Sequence, residues 1–312
     1  MKRRRSVAKA VSAVLALSAF IASPALAADV TPPGTTSQIA QLVSTSIMQS
    51  SLSADQLSRL TASAADIVDY RDVHGTSGCS TVTSCVLGDP SGGQTVVLFG
   101  DSHALMWAPA LDLLGKAHSF KVVLLWLGRC PVASVKVYAP KYSFPKLCDG
   151  FRSLELQRIV SLKPALIVLA EHTAGVSKPG GGNYTSAKAW SSALQTSLTV
   201  LKQAKAPLAI LEDGPTFKVS VPECLSQFPR AVQHCAQSQN GAPVSMYLAE
   251  RSAAAVAGIT SVPTRKWLCA QTCSPVIGPF LPYQDTNHLT STYVRYLSNV
   301  LGAALLPLLQ SP

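Results

Sequence analysis

Between Gln94 and Val262 the chain alternates short apolar runs with stretches of helical periodicity, and this restricts its fold more than any other feature. Thr95-Val96-Val97-Leu98-Phe99 is a continuous apolar run, the pattern of a strand buried on both faces. Helical spacing follows over residues 103–117. Lys121–Trp126 reads as a second strand, Leu154–Leu162 as a helix and Ala165–Ala170, behind Pro164, as a third strand. Ala187–Ala204 is a long helix, Pro207–Leu211 a fourth strand, Val244–Ala257 a helix and Gly258–Val262 a fifth strand. A last helix starts near Thr290. Strands that alternate with helices imply a parallel sheet covered on both faces, so the fold class is α/β.

The segments before this region differ in composition. Residues 28–91 are rich in Ser, Thr and Ala, with amphipathic helices expected near Thr36–Ser50 and Ala54–Tyr70. They read as an N-terminal extension to an α/β domain over 92–312. Residues 1–27 have the layout of a secretory signal peptide. Lys2, Arg3, Arg4, Arg5 and Lys9 precede an apolar run, Val11 to Ile21, and Ala25-Leu26-Ala27 offers a cleavage site. A retained anchor is the alternative. Cleavage after Ala27 removes five basic residues and no acids, which lowers the net charge from +10 to +5. No Lys/Arg cluster or basic stripe remains, which argues against a nucleic-acid partner.

All eight cysteines follow the leader. In an oxidising, extracytoplasmic compartment an even count favours disulfides. Neighbour pairing gives Cys79–Cys85, Cys130–Cys148, Cys224–Cys235 and Cys269–Cys273. A zinc site is the competing reading, and the irregular spacings and scarce nearby histidines disfavour it. No metal or organic cofactor is expected.

Two segments carry chemistry. In Phe99-Gly100-Asp101-Ser102-His103-Ala104 a buried strand ends at Gly100 and a helix begins just after Ser102. Open α/β sheets bind ligands at the carboxyl ends of their strands, and a helix N-terminus favours negative charge. Ser102 is thus placed as a nucleophile, although Asp101 or Ser102 as a simple helix cap explains the hexapeptide equally well. A serine needs a base, and the base an orienting partner. Asp285-Thr286-Asn287-His288 puts a carboxylate three residues before an imidazole, just ahead of the last helix.

Together these segments resemble the SGNH (GDSL-like) hydrolases. The nearer likeness is to the SGNH domains fused to membrane acyltransferase-3 proteins, which act in O-acylation of envelope polysaccharides. Gly100-Asp101-Ser102-His103 and Asp285 to Leu289 match the first and last motif blocks. Cys85-Val86-Leu87-Gly88-Asp89, the segment from His103 through Trp107 and Pro109 to Leu111, Cys130-Pro131, and Leu268-Cys269 to Cys273 add to the likeness. It covers about residues 79–305.

The resemblance implies a three-layer α/β/α sandwich with a flavodoxin-like parallel sheet. It also implies a catalytic Ser102–His288–Asp285 triad and an oxyanion hole formed by the N–H groups of Ser102 and Gly128. The family's third donor is an asparagine after the third strand, and here Ala170-Glu171-His172 stands instead. A charged Glu171 would repel an oxyanion, whereas His172 could donate from its ring, and Asn183 in the next loop is another substitute. Asp101, His103, His172 and Asn183 are therefore expected to line the site. The function implied is that of an exported esterase or O-acyltransferase acting on an acylated carbohydrate or small acyl ester, with a membrane acyltransferase-3 protein as a candidate partner. The alternative is a non-catalytic exported binding or scaffold protein that keeps the fold.

Overall fold

A computed structural model of the chain describes residues 33–67, 85–137, 143–173, 185–239 and 244–309. The expectations for the leader, for Cys79 and for Asn183 fall outside these residues.

The central sheet has six strands: β1 (Cys85–Gly88), β2 (Gln94–Gly100), β3 (Phe120–Trp126), β4 (Leu166–Ala170), β5 (Leu208–Leu211) and β7 (Thr260–Val262). A separate two-stranded ribbon joins β6 (Gln237–Ser238) to β8 (Thr272–Cys273). The spatial order in the sheet is β1-β3-β2-β4-β5-β7. All neighbours are parallel except β1, which runs antiparallel to β3 at the edge. The five parallel strands follow the flavodoxin-like order, with its switch point between β2 and β4. The antiparallel edge strand β1 is an addition to the parallel strands read from the sequence. A five-residue turn at 89–93 separates β1 from β2, too short for a crossover, so β1 reverses direction.

Successive side chains of a strand point to opposite faces, and β2 feeds two cores in this way. Val96 and Leu98 join one cluster, Val97 and Phe99 the other. The first core packs under α3 (Ser102–His118), α6 (Val221–Gln227), α8 (Ser291–Tyr296) and α9 (Ser298–Leu309). It also takes Ile39 and Val43 from α1 (Thr36–Ser46) and Leu60 from α2 (Ala54–Ser63). Both of these N-terminal helices start with a reciprocal capping box, Thr35 with Gln38 and Ser53 with Gln56. Gln56 Nε2 donates to the Gly278 carbonyl at 2.8 Å, tying α2 to the C-terminal half. The second core packs under α4 (Ser143–Leu162), α5 (Ala187–Leu201) and α7 (Val244–Ala257). The molecule is thus a three-layer α/β/α sandwich. Among the described residues no helix is long and apolar enough to cross a membrane.

Some boundaries differ from the sequence reading. Helix α4 starts at Ser143 rather than Leu154, since Pro145 falls in its first turn, where proline is tolerated. The helix expected from Thr290 is two, divided at Leu297. Helices α1 and α2 end at Ser46 and Ser63, short of the expected Ser50 and Tyr70. The structure joins Cys130 to Cys148, Cys224 to Cys235 and Cys269 to Cys273. The fourth expected pairing involves Cys79, outside the described residues.

Candidate active site

The sheet register sets three groups at one height. Gly100 on β2 pairs with Trp126 on β3 and with Ala170 on β4. Ser102, Gly128 and His172 each lie two residues past that rung, above the carboxyl edge at the switch point. Gly100 is required by close packing, since a Cβ there would stand 1.8 Å from the Ala170 carbonyl oxygen. Past the rung, the Asp101 carboxylate ties two exits together. Its Oδ1 accepts from His103 N–H at 2.8 Å and caps α3, while its Oδ2 accepts from His172 N–H at 2.9 Å.

Ser102 Oγ lies 2.8 Å from His288 Nε2, and His288 Nδ1 lies 2.6 Å from Asp285 Oδ2. Asp285 Oδ1 accepts from the N–H groups of Asn287 and His288, each at 2.8 Å. Burial opposes the Asp285 charge, but the His288 ring and these two N–H donors outweigh it and hold the carboxyl at about 2. An ionised carboxylate only accepts, so His288 carries its proton on Nδ1 and leaves Nε2 free to accept from Ser102. The loop bearing both residues is latched. Gln284 N–H donates to the His288 carbonyl, Tyr283 bridges to Leu289, and the N–H groups of Phe217 and Val221 donate to the carbonyls of Thr286 and Asp285.

Gly128 sits in a turn closed by Cys130 N–H to the Leu127 carbonyl, at 3.0 Å. The disulfide to α4 holds that turn, and so does buried Arg152, whose Nε donates to the Pro131 carbonyl at 2.9 Å. A Cβ at Gly128 would meet only Trp126, at 3.8 Å, so neither crowding nor strain requires glycine there.

The candidate lining residues divide between the site and the layer beneath it. Asp101 and His103 are buried, 1% and 2% exposed, and act as internal braces rather than lining. Among the described candidates, only His172 keeps a partly open side chain. Glu171 is fully buried and points the other way, with Oε2 accepting from Ala133 N–H at 2.9 Å. Burial pushes its carboxyl up to about 8, with Asp101 and Asp213 also raising it against the opposing pull of the Ala133 N–H and Arg152. The raised carboxyl favours the neutral form, which weakens the repulsion that a charged Glu171 would exert. Glu171 braces the loop carrying Gly128.

Two further residues, Asp213 and Asn287, escaped the sequence reading. Asp213 follows the end of β5 and is buried. Its Oδ2 accepts from Thr173 N–H at 2.8 Å and Thr173 Oγ1 at 2.9 Å, and lies 3.2 Å from His172 Nδ1. Its Oδ1 lies 2.8 Å from His103 Nδ1, out of line for a hydrogen bond. The His103 and His172 rings stack with centroids 4.5 Å apart. Burial lowers His103 despite Asp213, whereas at His172 burial is outweighed by Asp213 together with Asp101 and Asp285, and the ring is raised. Burial disfavours the Asp213 charge, yet the two histidines hold it well below the carboxylate range. Asn287 Nδ2 lies 2.9 Å from His172 Nε2.

His103, His172 and Asp213 are residue types that bind metals. Two ligands on a tetrahedral ion with bonds near 2.0 Å stand about 3.3 Å apart. The 2.8 Å approach of His103 to Asp213 is tighter, and Asp213 Oδ2 is already committed to Thr173 and His172. The cluster fits an ionic hydrogen-bond network better than a metal centre.

A family model described as the SGNH domain (fused to AT3 domains) matches residues 70–303. The chain belongs to this family. No curated protein matches the chain. Among solved structures, the SGNH domain is similar to the periplasmic domain of a lipopolysaccharide acetyltransferase from Salmonella ser. Paratyphi A. The identity is 17% and the TM-score 0.56, over 69% of this chain and 85% of that one. It is also similar to an acetyl xylan esterase, AlAXEase, at 14% identity and TM-score 0.45, over 68% and 99% of the two chains. A third similar structure is a putative acylhydrolase from Bacteroides fragilis, at 13% identity and TM-score 0.45, over 83% and 99%. At these identities the likeness is one of fold.

Proposed function

We propose that this SGNH domain is an exported serine esterase or O-acyltransferase acting on acylated cell-envelope carbohydrate. The observation that carries the reading is the unbroken chain from Ser102 Oγ through His288 to Asp285, at 2.8 and 2.6 Å. Export is supported by the leader-like residues 1–27 and by the disulfides, which persist in oxidising compartments.

In this mechanism Ser102 Oγ attacks the ester carbonyl carbon while its proton passes to His288 Nε2. Asp285 holds the ring in the required tautomer and stabilises the imidazolium. The carbonyl oxygen takes up negative charge and meets the N–H groups of Ser102, at the start of α3, and of Gly128. The tetrahedral intermediate then expels the alcohol, which takes the proton from His288. Water or a carbohydrate hydroxyl next attacks the acyl-Ser102 ester, again giving its proton to His288, and releases acid or a new ester. Envelope carbohydrate as the acceptor is suggested by the lipopolysaccharide acetyltransferase domain among the similar structures. A membrane acyltransferase-3 protein is the partner suggested by the family's fusions.

The test is turnover of acetylated model esters and envelope glycans by the purified protein, with fluorophosphonate labelling alongside. Ser102→Ala is expected to abolish both turnover and labelling. Wild-type activity in that variant would sink the assignment.

A further inference from the structure

Two backbone N–H groups, those of Ser102 and Gly128, stand on one side of the switch point. On the other side, at the same height past the sheet rung, stands His172. Its ring is not free to turn toward substrate. Asp213, buried and anionic, takes the Nδ1 side at 3.2 Å, and Thr173 fixes Asp213 through two more hydrogen bonds. The neutral stacked ring of His103 packs against it at 4.5 Å. When the ring is neutral, with Nδ1–H donated to the carboxylate, Nε2 is an acceptor. What it meets is the Asn287 amide, at 2.9 Å.

An amide nitrogen carries two hydrogens. One is used on His172, and the second is left to point elsewhere. Asn287 is also held from behind, because its own N–H donates to Asp285 Oδ1 at 2.8 Å. It directly precedes His288, whose Nε2 is 2.8 Å from Ser102 Oγ. The residue is partly exposed rather than enclosed in the core.

We propose that Asn287 supplies the third hydrogen-bond donor to the oxyanion, and that the Asp213–His172 pair is the positioning device that sets its amide. The inference rests on the esterase reading above and deepens it. Asn287 touches the reacting oxygen, whereas His172 acts only through Asn287. The base, its orienting carboxylate and one oxyanion donor then travel on a single loop, 285–288, whose Asn287 amide meets His172 just past the end of β4.

The experiment compares wild type with Asn287→Ala, Asn287→Asp and His172→Phe on an acetyl ester at alkaline pH, which favours the neutral His172 ring. A boronic acid serves as transition-state analogue. Both Asn287 variants should lose roughly a hundred- to thousandfold in kcat at little-changed KM, with boronate affinity falling in step. Asn287→Asp keeps the shape but puts a carboxylate in place of the donor, so its loss includes repulsion of the oxyanion, while Asn287→Ala removes the donor without adding charge. His172→Phe should lower kcat by a smaller factor, again at little-changed KM, with the melting temperature recorded for each protein. Activity within threefold of wild type in Asn287→Asp, with Ser102→Ala inactive, would overturn the donor role. Unchanged kcat in His172→Phe would overturn the positioning role. A wild-type protein with no turnover and no fluorophosphonate labelling would overturn this inference together with the esterase reading beneath it.

Discussion

Asp101 and His172 meet across the exits of adjacent parallel strands, the carboxylate of one accepting the backbone N–H of the other at 2.9 Å. The same carboxylate caps the helix that presents Ser102. Substituting Asp101 with alanine removes a helix cap and leaves the His172 N–H without its partner. The expected loss is about 2–4 kcal/mol of stability, read from urea unfolding. Asp101→Asn keeps one acceptor oxygen and should lose less.

The anion of Asp285 keeps the His288 ring oriented. Asp285→Asn should lower kcat/KM by roughly ten-thousandfold, because the amide can present a donor to Nδ1 and favour the wrong tautomer. Since the folded carboxyl sits at about 2, below its unfolded value, its contribution to stability is complete above pH ~4. That contribution drains away as pH falls toward 2. Asp285→Asn should therefore show a shallower acid transition than wild type when melting temperature is followed from pH 5 to pH 2.

Glu171 gives the opposite sign. Its folded carboxyl is raised to about 8, so the folded state keeps a proton that the unfolded chain releases near pH 4.3. Stability from this group is greatest below pH ~4.3 and declines as pH rises through about 8. Glu171→Gln preserves an acceptor for Ala133 N–H without the charge. Thermal unfolding across pH 5 to 9 should find its advantage over wild type growing with pH. A constant difference would contradict the assignment.

Gly100 and Gly128 should respond differently to alanine. At position 100 the new methyl collides with backbone on β4, so Gly100→Ala should fold poorly or lose several kcal/mol. At position 128 there is room, and Gly128→Ala should melt close to wild type. Its methyl would crowd the approach to the adjacent N–H, so kcat should fall. Calorimetry and ester kinetics on the same preparations separate the two effects.

The disulfide from Cys130 to Cys148 anchors the turn that carries Gly128. Replacing both cysteines with serine should reduce stability by about 2–4 kcal/mol and lower kcat. Urea unfolding and acetyl ester assays measure the two.

The parallel strands β2 to β5 were legible because each is a short, mainly apolar run bounded by turn residues, and burial on both faces leaves that pattern intact. Strand β1 carried no such signal, since it is only four residues long, ends in glycine and exposes Val86 at the sheet edge. Ser102, Asp285 and His288 could be picked out because a nucleophile at a strand-to-helix turn and a carboxylate three residues from an imidazole are local patterns. Asp213 is not local. Its partner His172 lies 41 residues away, and only the sheet order brings the ends of β4 and β5 together. One signal was available: acidic residues immediately after a buried strand, at Glu212 and Asp213, are costly unless paired. Asn287 was hidden by its surroundings, because a residue between two stronger candidates reads as spacer.

The common rung beneath Ser102, Gly128 and His172 separates two kinds of inheritance. Spacing among these groups is dictated by interstrand pitch, which every parallel sheet shares, so it survives wholesale replacement of surface loops. Preference for one acyl donor or acceptor must then be written in loop sequences that never touch the rung. Such a scaffold can exchange one carbohydrate for another while its reactive geometry stays as it was.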